Sequence, residues 1–171
     1  MRTIHLFYAH PSSVDPHVLA QESQEIREKL VEKSKAAGKD IRVRVTTGRD
    51  DFLENARGDW EAWTHGICRR RHSITQERLF DMIVIPSKFV GRATASIIDE
   101  AVKAGIPVML FSSEEGPEWG HFQRITQVYP FDPDDWQGGF RCEADPQIPL
   151  PFKEVTYGNH KVPHESEDST S

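Results

Sequence analysis

The chain has 171 residues, the size of one ordinary domain and long enough to bury a core without a metal or disulfide staple. Its 21 basic and 27 acidic residues leave a net charge of −6, which argues against a general nucleic-acid binder whose affinity comes from neutralising phosphates. No apolar run approaches the ~20 residues of a membrane span, and Cys68 and Cys142 stand far apart without CxxC spacing, so neither a zinc site nor a secreted disulfide framework is expected.

The N-terminal stretch MRTIHLFYAHPSS is too short in apolar residues for a signal peptide and is expected to enter a strand in a cytoplasmic domain. Thr3 to Tyr8 reads as that strand, ending at the breaker His10-Pro11-Ser12-Ser13. Asp15-Pro16 has the form of a helix start, with aspartate as cap and proline at the first helical position, and Gly38 sits where a closing glycine belongs. Ile41 to Thr46 alternates apolar and basic residues, as a half-exposed strand at a sheet edge does. Residues 48 to 58 are compatible with a short helix or a loop. Asp59 to about Arg71 is expected to be helical, with Trp60, Trp63 and Ile67 on one face. Leu79 to Pro86 and Pro107 to Phe111 have the continuous apolar character of strands covered on both sides. Between them Ala93 to Ala104 carries Ile97, Ile98, Ala101 and Val102 on one helical side, and Thr126 to Tyr129 is a candidate fifth strand.

Alternation of strands and helices predicts an α/β fold: a doubly wound, flavodoxin- or Rossmann-like, mostly parallel sheet of about five strands. Residues 1–131 form that domain. Residues 132–157, rich in proline and aspartate, are expected to be an irregular extension packed on it, and residues 158–171 a disordered polar tail.

In such a sheet ligands collect beyond the carboxyl ends of the strands, where strand order reverses. The loop after the first strand offers Tyr8, His10, Ser12, Ser13 and Asp15, a serine pair before a helix start being a plausible anion cradle. The loop after the apolar strand at 79–86 offers Gly91, Arg92 and Thr94. Glycine there permits close approach, arginine can pair with a phosphate or carboxylate, and threonine can bond an oxygen. In the following helix Asp99 and Glu100 are the only acids, and Trp119, in the loop after the strand at 107–111, is a candidate stacking surface. No GxGxxG or GxxxxGK[ST] is present, so no cofactor is named. The eight histidines lack metal-ligand spacing, and no GxSxG elbow marks a serine hydrolase.

The run Asp81-Met-Ile-Val-Ile-Pro86, then Gly91-Arg-Ala-Thr94, a helix ending Ala101-Val-Lys-Ala-Gly105 and the strand Pro107-Val-Met-Leu-Phe111 resembles nucleoside 2-deoxyribosyltransferases over about residues 3–111. The resemblance implies a pocket for a nucleoside or nucleotide, chemistry at an N-glycosidic bond, and a homodimer. It also implies a glutamate nucleophile eight residues before the closing glycine, a position held here by Ile97. Glu100 or Asp99 then stands as the catalytic candidate, with Asp15 assisting and Tyr8, His10, Arg92 and Thr94 holding the ligand. Two other readings remain open at the level of sequence: a non-catalytic nucleotide sensor or sequestering protein, and a Toll/interleukin-receptor-like interaction domain.

Overall fold

A computed structural model describes residues 2–112, 121–135 and 138–152. Trp119 and the tail expected at 158–171 lie outside the described residues. The chain runs β1 (Arg2–Tyr8), α1 (Pro16–Ala36), β2 (Ile41–Thr47), α2 (Gly48–Asn55), α3 (Trp60–Gly66), a 3₁₀ turn (Ile67–Arg69), β3 (Met82–Ile85), β4 (Phe89–Val90), α4 (Arg92–Ala104), β5 (Val108–Phe111), β6 (Phe122–Pro130) and β7 (Phe140–Asp145). The described strands join in one sheet of order β2-β1-β3-β5-β6-β7-β4. β2, β1, β3 and β5 are parallel; β6, β7 and β4 extend the sheet antiparallel.

Side-chain alternation along the strands divides the core. Ile4, Leu6 and Tyr8 of β1, with Met82, Val84, Met109 and Phe111, face Leu19, Ile26 and Leu30 of α1. The intervening Phe7, Ile83, Ile85, Val108 and Leu110 face Ile97, Ile98 and Ala101 of α4 and Ile67 of the 3₁₀ turn. Helices therefore cover both faces, as expected for a doubly wound sheet whose central strands are apolar throughout. Among the described residues no helix is long and apolar enough to cross a membrane.

The local signals work as the sequence implied. Asp15 caps α1 by accepting the His17 N–H at 2.8 Å, and Pro16 occupies the first turn. β2 lies at the sheet edge, with exposed Arg42 and Arg44 alternating with buried Ile41 and Val43. Gly105 ends α4 at φ +75°, its N–H returning to the carbonyls of Ala101 and Val102.

The region expected to be an irregular extension contains a strand. Asp132 to Asp135 belongs to the turn, closed by Phe131 N–H donating to Gly139 O at 3.0 Å. β7 then alternates buried Phe140 and Cys142 with exposed Arg141 and Glu143. This β6–β7 hairpin adds Ile125 and Cys142 to the core on the α4 side. The start of β7 pairs with Phe89 and Val90, just ahead of α4. Proline and aspartate thus mark a hairpin turn rather than a loss of structure.

Gly105 is a clean test of the α4 terminus, because a Cβ there meets nothing within 4 Å and only the left-handed backbone is strained. Gly105→Ala should lower stability by about 1 kcal/mol, read as a lower denaturation midpoint at unchanged slope.

Candidate functional site

The chain leaves β1 towards β2 on one side and reaches β3 on the other, so the strand order reverses between β1 and β3. A crevice opens at the carboxyl ends of such a pair. A cavity of about 620 Å³ lies there, within the range of small-molecule sites. Its walls come from Ala9 to Ser13 after β1, one face of α2 (Gly48, Arg49, Phe52 and Leu53) after β2, and Pro86, Ser87 and Phe89 to Thr94 after β3, with Ile97 of α4 also lining it. Trp60 and Trp63 of α3 complete an aromatic side with Phe7 and Phe52.

Two basic side chains, Arg49 and Arg92, belong to this lining, and none of its described residues is acidic. Both arginines sit in the first turns of helices, α2 and α4, at the positive ends of the helix dipoles. Gly91 caps α4 and supplies no side-chain hydrogen bond of its own. Ser12, Ser13, Ser87 and Thr94 supply hydroxyls. The cavity therefore offers donors and positive charge on one side and aromatic faces on the other.

His10 ties the β1 loop to α2. Its Nε2 accepts the Arg49 N–H at 3.0 Å, and its Nδ1 lies 2.8 Å from Pro11 O, an arrangement that suits a ring with Nδ1 donating and Nε2 accepting. Gly48 starts α2 beside this ring: a Cβ there would make ordinary contact with it, 3.7 Å from His10 Nε2 and 3.4 Å from Tyr8 O.

The aromatic wall is pinned by Asp51, a buried carboxylate in α2. One oxygen accepts the Trp63 indole N–H at 2.7 Å, and Arg70 forms a two-pronged ion pair with it, the second bond at 2.9 Å. Asn55 donates to the same carboxylate at 3.2 Å. One group thus joins α2, α3 and the segment after the 3₁₀ turn. Behind it lies His5, whose Nε2 is 2.7 Å from Thr46 Oγ1. Burial, with Arg44 and His72 adding repulsion, pushes His5 down to about 4, although Asp51 pulls the other way.

The sequence candidates divide sharply. His10, Ser12, Ser13, Gly91, Arg92 and Thr94 line the cavity together. Tyr8 does not: strand alternation turns it to the α1 face, where its hydroxyl donates to Glu22 at 3.0 Å. Burial and that carboxylate push its phenol well above the ordinary range. Asp15 is engaged as the α1 cap. Asp99 is exposed and pairs with Lys103 at 2.9 Å. Glu100 bridges α4 to α3 and the 3₁₀ turn, lying 3.1 Å from His65 Nδ1 and 3.2 Å from Arg69 Nη2. The His65 bond holds its carboxyl below the usual range, reinforced by Arg69 and opposed by partial burial. None of these four lines the cavity, whereas Ile97 does.

Sequence reading missed Arg49, Phe52, Leu53 and the Asp51 knot. Its signal was present in GRDDFLEN, where Thr47 caps a helix by accepting the Asp50 N–H. Both cysteines are buried, with burial pushing Cys68 up to about 12 and Cys142 to about 11. Among the described residues no group of three His, Cys, Asp or Glu side chains is placed to hold a metal. No family model, curated protein or solved structure matches the chain.

Two consequences are measurable. Asp51→Asn keeps an acceptor for Trp63 but leaves Arg70 without its countercharge, so stability should fall by about 3 kcal/mol, with a changed Trp emission spectrum. Because His5 titrates below the ordinary value of 6.5, its neutral form contributes full stability above pH 6.5. That contribution is lost as pH falls from 6.5 towards 4, by at most about 1.4 kcal/mol per pH unit. Denaturation at stepped pH should show this limb flattened in His5→Gln.

Proposed function

We propose that the protein binds a nucleoside or nucleotide in the cavity between β1 and β3 and holds it without cleaving it. The observation that carries this reading is the lining itself: Arg49 and Arg92 stand with two helix starts, and Phe52, Trp60 and Trp63 with Ile97. An anionic group is favoured where helix N-termini and guanidiniums gather. A planar base is favoured against aromatic faces. A sugar between them meets the hydroxyls of Ser12, Ser13, Ser87 and Thr94.

The same lining speaks against glycosidic chemistry by a carboxylate of α4. A covalent route needs a carboxylate facing the anomeric carbon. Ile97 occupies the position that the resemblance to deoxyribosyltransferases assigns to it, and Glu100 is bound to His65 and Arg69. The pocket is retained in this reading and the nucleophile is not, which is the pattern of a sensor or sequestering protein.

A thermal-shift panel of the common nucleosides and their 5′-monophosphates, with chromatography of each mixture, tests this. At 100 times its dissociation constant a bound monophosphate should add ~2.7 kcal/mol of stability with no free base released. Arg49→Ala should weaken the monophosphates while sparing nucleosides; Phe52→Ala should weaken both. A panel without a single shift, or release of base, refutes the reading.

A further inference from the structure

Arg92, which opens α4, has its Nη2 3.7 Å from Glu61 Oε2 and its guanidinium carbon 5.7 Å from the centre of the Trp60 ring. Trp60 and Glu61 are neighbours in the first turn of α3. One cationic side chain of the cavity lining is therefore engaged by an acid from the adjacent helix, while it lies over an aromatic face of the same cavity. All three residues are exposed at the rim, where an ion pair is weak and readily exchanged.

We propose that Glu61 is an internal competitor for the ligand's anionic group, holding Arg92 in a resting position over Trp60. Ligand entry exchanges both contacts: the anion replaces Glu61 at the guanidinium, and the aromatic part replaces Arg92 on the Trp60 face. The inference rests on the reading of the cavity as a site for an anionic aromatic molecule. It goes further in naming the residue that sets its affinity and selectivity. A neutral molecule has nothing to offer the guanidinium in place of Glu61, whereas a ligand carrying both anion and ring satisfies both freed partners at once. Selectivity for the two-part ligand then comes from the occupied resting state as well as from new contacts.

Glu61→Gln tests this without touching the core, because Glu61 is exposed and its loss removes only a first-turn charge from α3. Inorganic phosphate, AMP and adenosine are titrated by calorimetry at low salt into the wild type, Glu61→Gln, Arg92→Ala and the double variant. Phosphate and AMP should bind Glu61→Gln three- to tenfold more tightly than the wild type, adenosine should be unchanged, and the gain should vanish in the Arg92→Ala background. High salt should shrink it. Phosphate binding that is undetectable in both proteins or equal in them, an equal gain for adenosine, or a gain that persists without Arg92 overturns the proposal. If phosphate shows the dependence but AMP binds no better than phosphate and adenosine not at all, the exchange stands and the nucleotide reading falls.

Discussion

The reversal of strand order at β1 is the constraint from which the rest of the molecule follows. Right-handed crossovers place a helix on whichever face the chain must cross. The step from β1 to β2 puts α1 on one side, and the step from β3 to β5 puts α4 on the other. The two connections diverge at the carboxyl ends of β1 and β3, and neither can fill the space between them. A crevice is thus a product of topology, and its chemistry is decided by the few residues that rim it. Here those residues begin at Ala9 on one side and Pro86 on the other.

Behind the aromatic wall of the crevice lies a polar knot centred on Asp51. α2 and α3 are short, eight and seven residues, and helices of that length have little stability of their own. Asp51 compensates by joining both helices to Arg70 through charge-assisted bonds, which are strongest where water is excluded. Phe52 meets Trp63 edge-on at 5.1 Å, and Phe7 completes the contact from β1. Without the knot, Trp63 would keep its apolar contacts but lose the bond that fixes its ring. The aromatic side of the cavity consequently depends on a carboxylate that never faces it.

Much of this was readable from the chain. Apolar runs at 82–85 and 108–111, the alternation of 41–47 and the cap at Asp15 are local signals, and each produced its element. The loops after β1 and β3 were placed in one crevice on topology alone, and His10, Arg92 and Thr94 meet there. Tyr8 was also legible in principle, since it shares parity with Ile4 and Leu6 and so faces α1. What lay beyond the sequence was long-range pairing. Nothing local says that Asp51 will meet Arg70, that Glu100 will meet His65, or that Phe140 and Arg141 will pair with β4. Composition misled at 132–157 for a related reason: proline and aspartate describe the turn, while the alternating Phe140 and Cys142 describe the strand that follows it.

The acids of α4 illustrate why charge in a helix beside a pocket is weak grounds for catalysis. At ~100° per residue, Glu100 lies ~60° from Ile97 around the helix, close enough in projection to share its face. The structure separates them: Ile97 is buried and reaches the cavity, while Glu100 turns to the seam with α3 and finds His65 and Arg69. A carboxylate held there, with its ionised form favoured, strengthens the contact between two helices that wall the site. To serve as an acid it would have to take up a proton against those partners, and to serve as a nucleophile it would have to abandon them. An isoleucine at the cavity wall and a glutamate in the helix seam each do work consistent with holding a ligand, and together they leave α4 without a group to attack one.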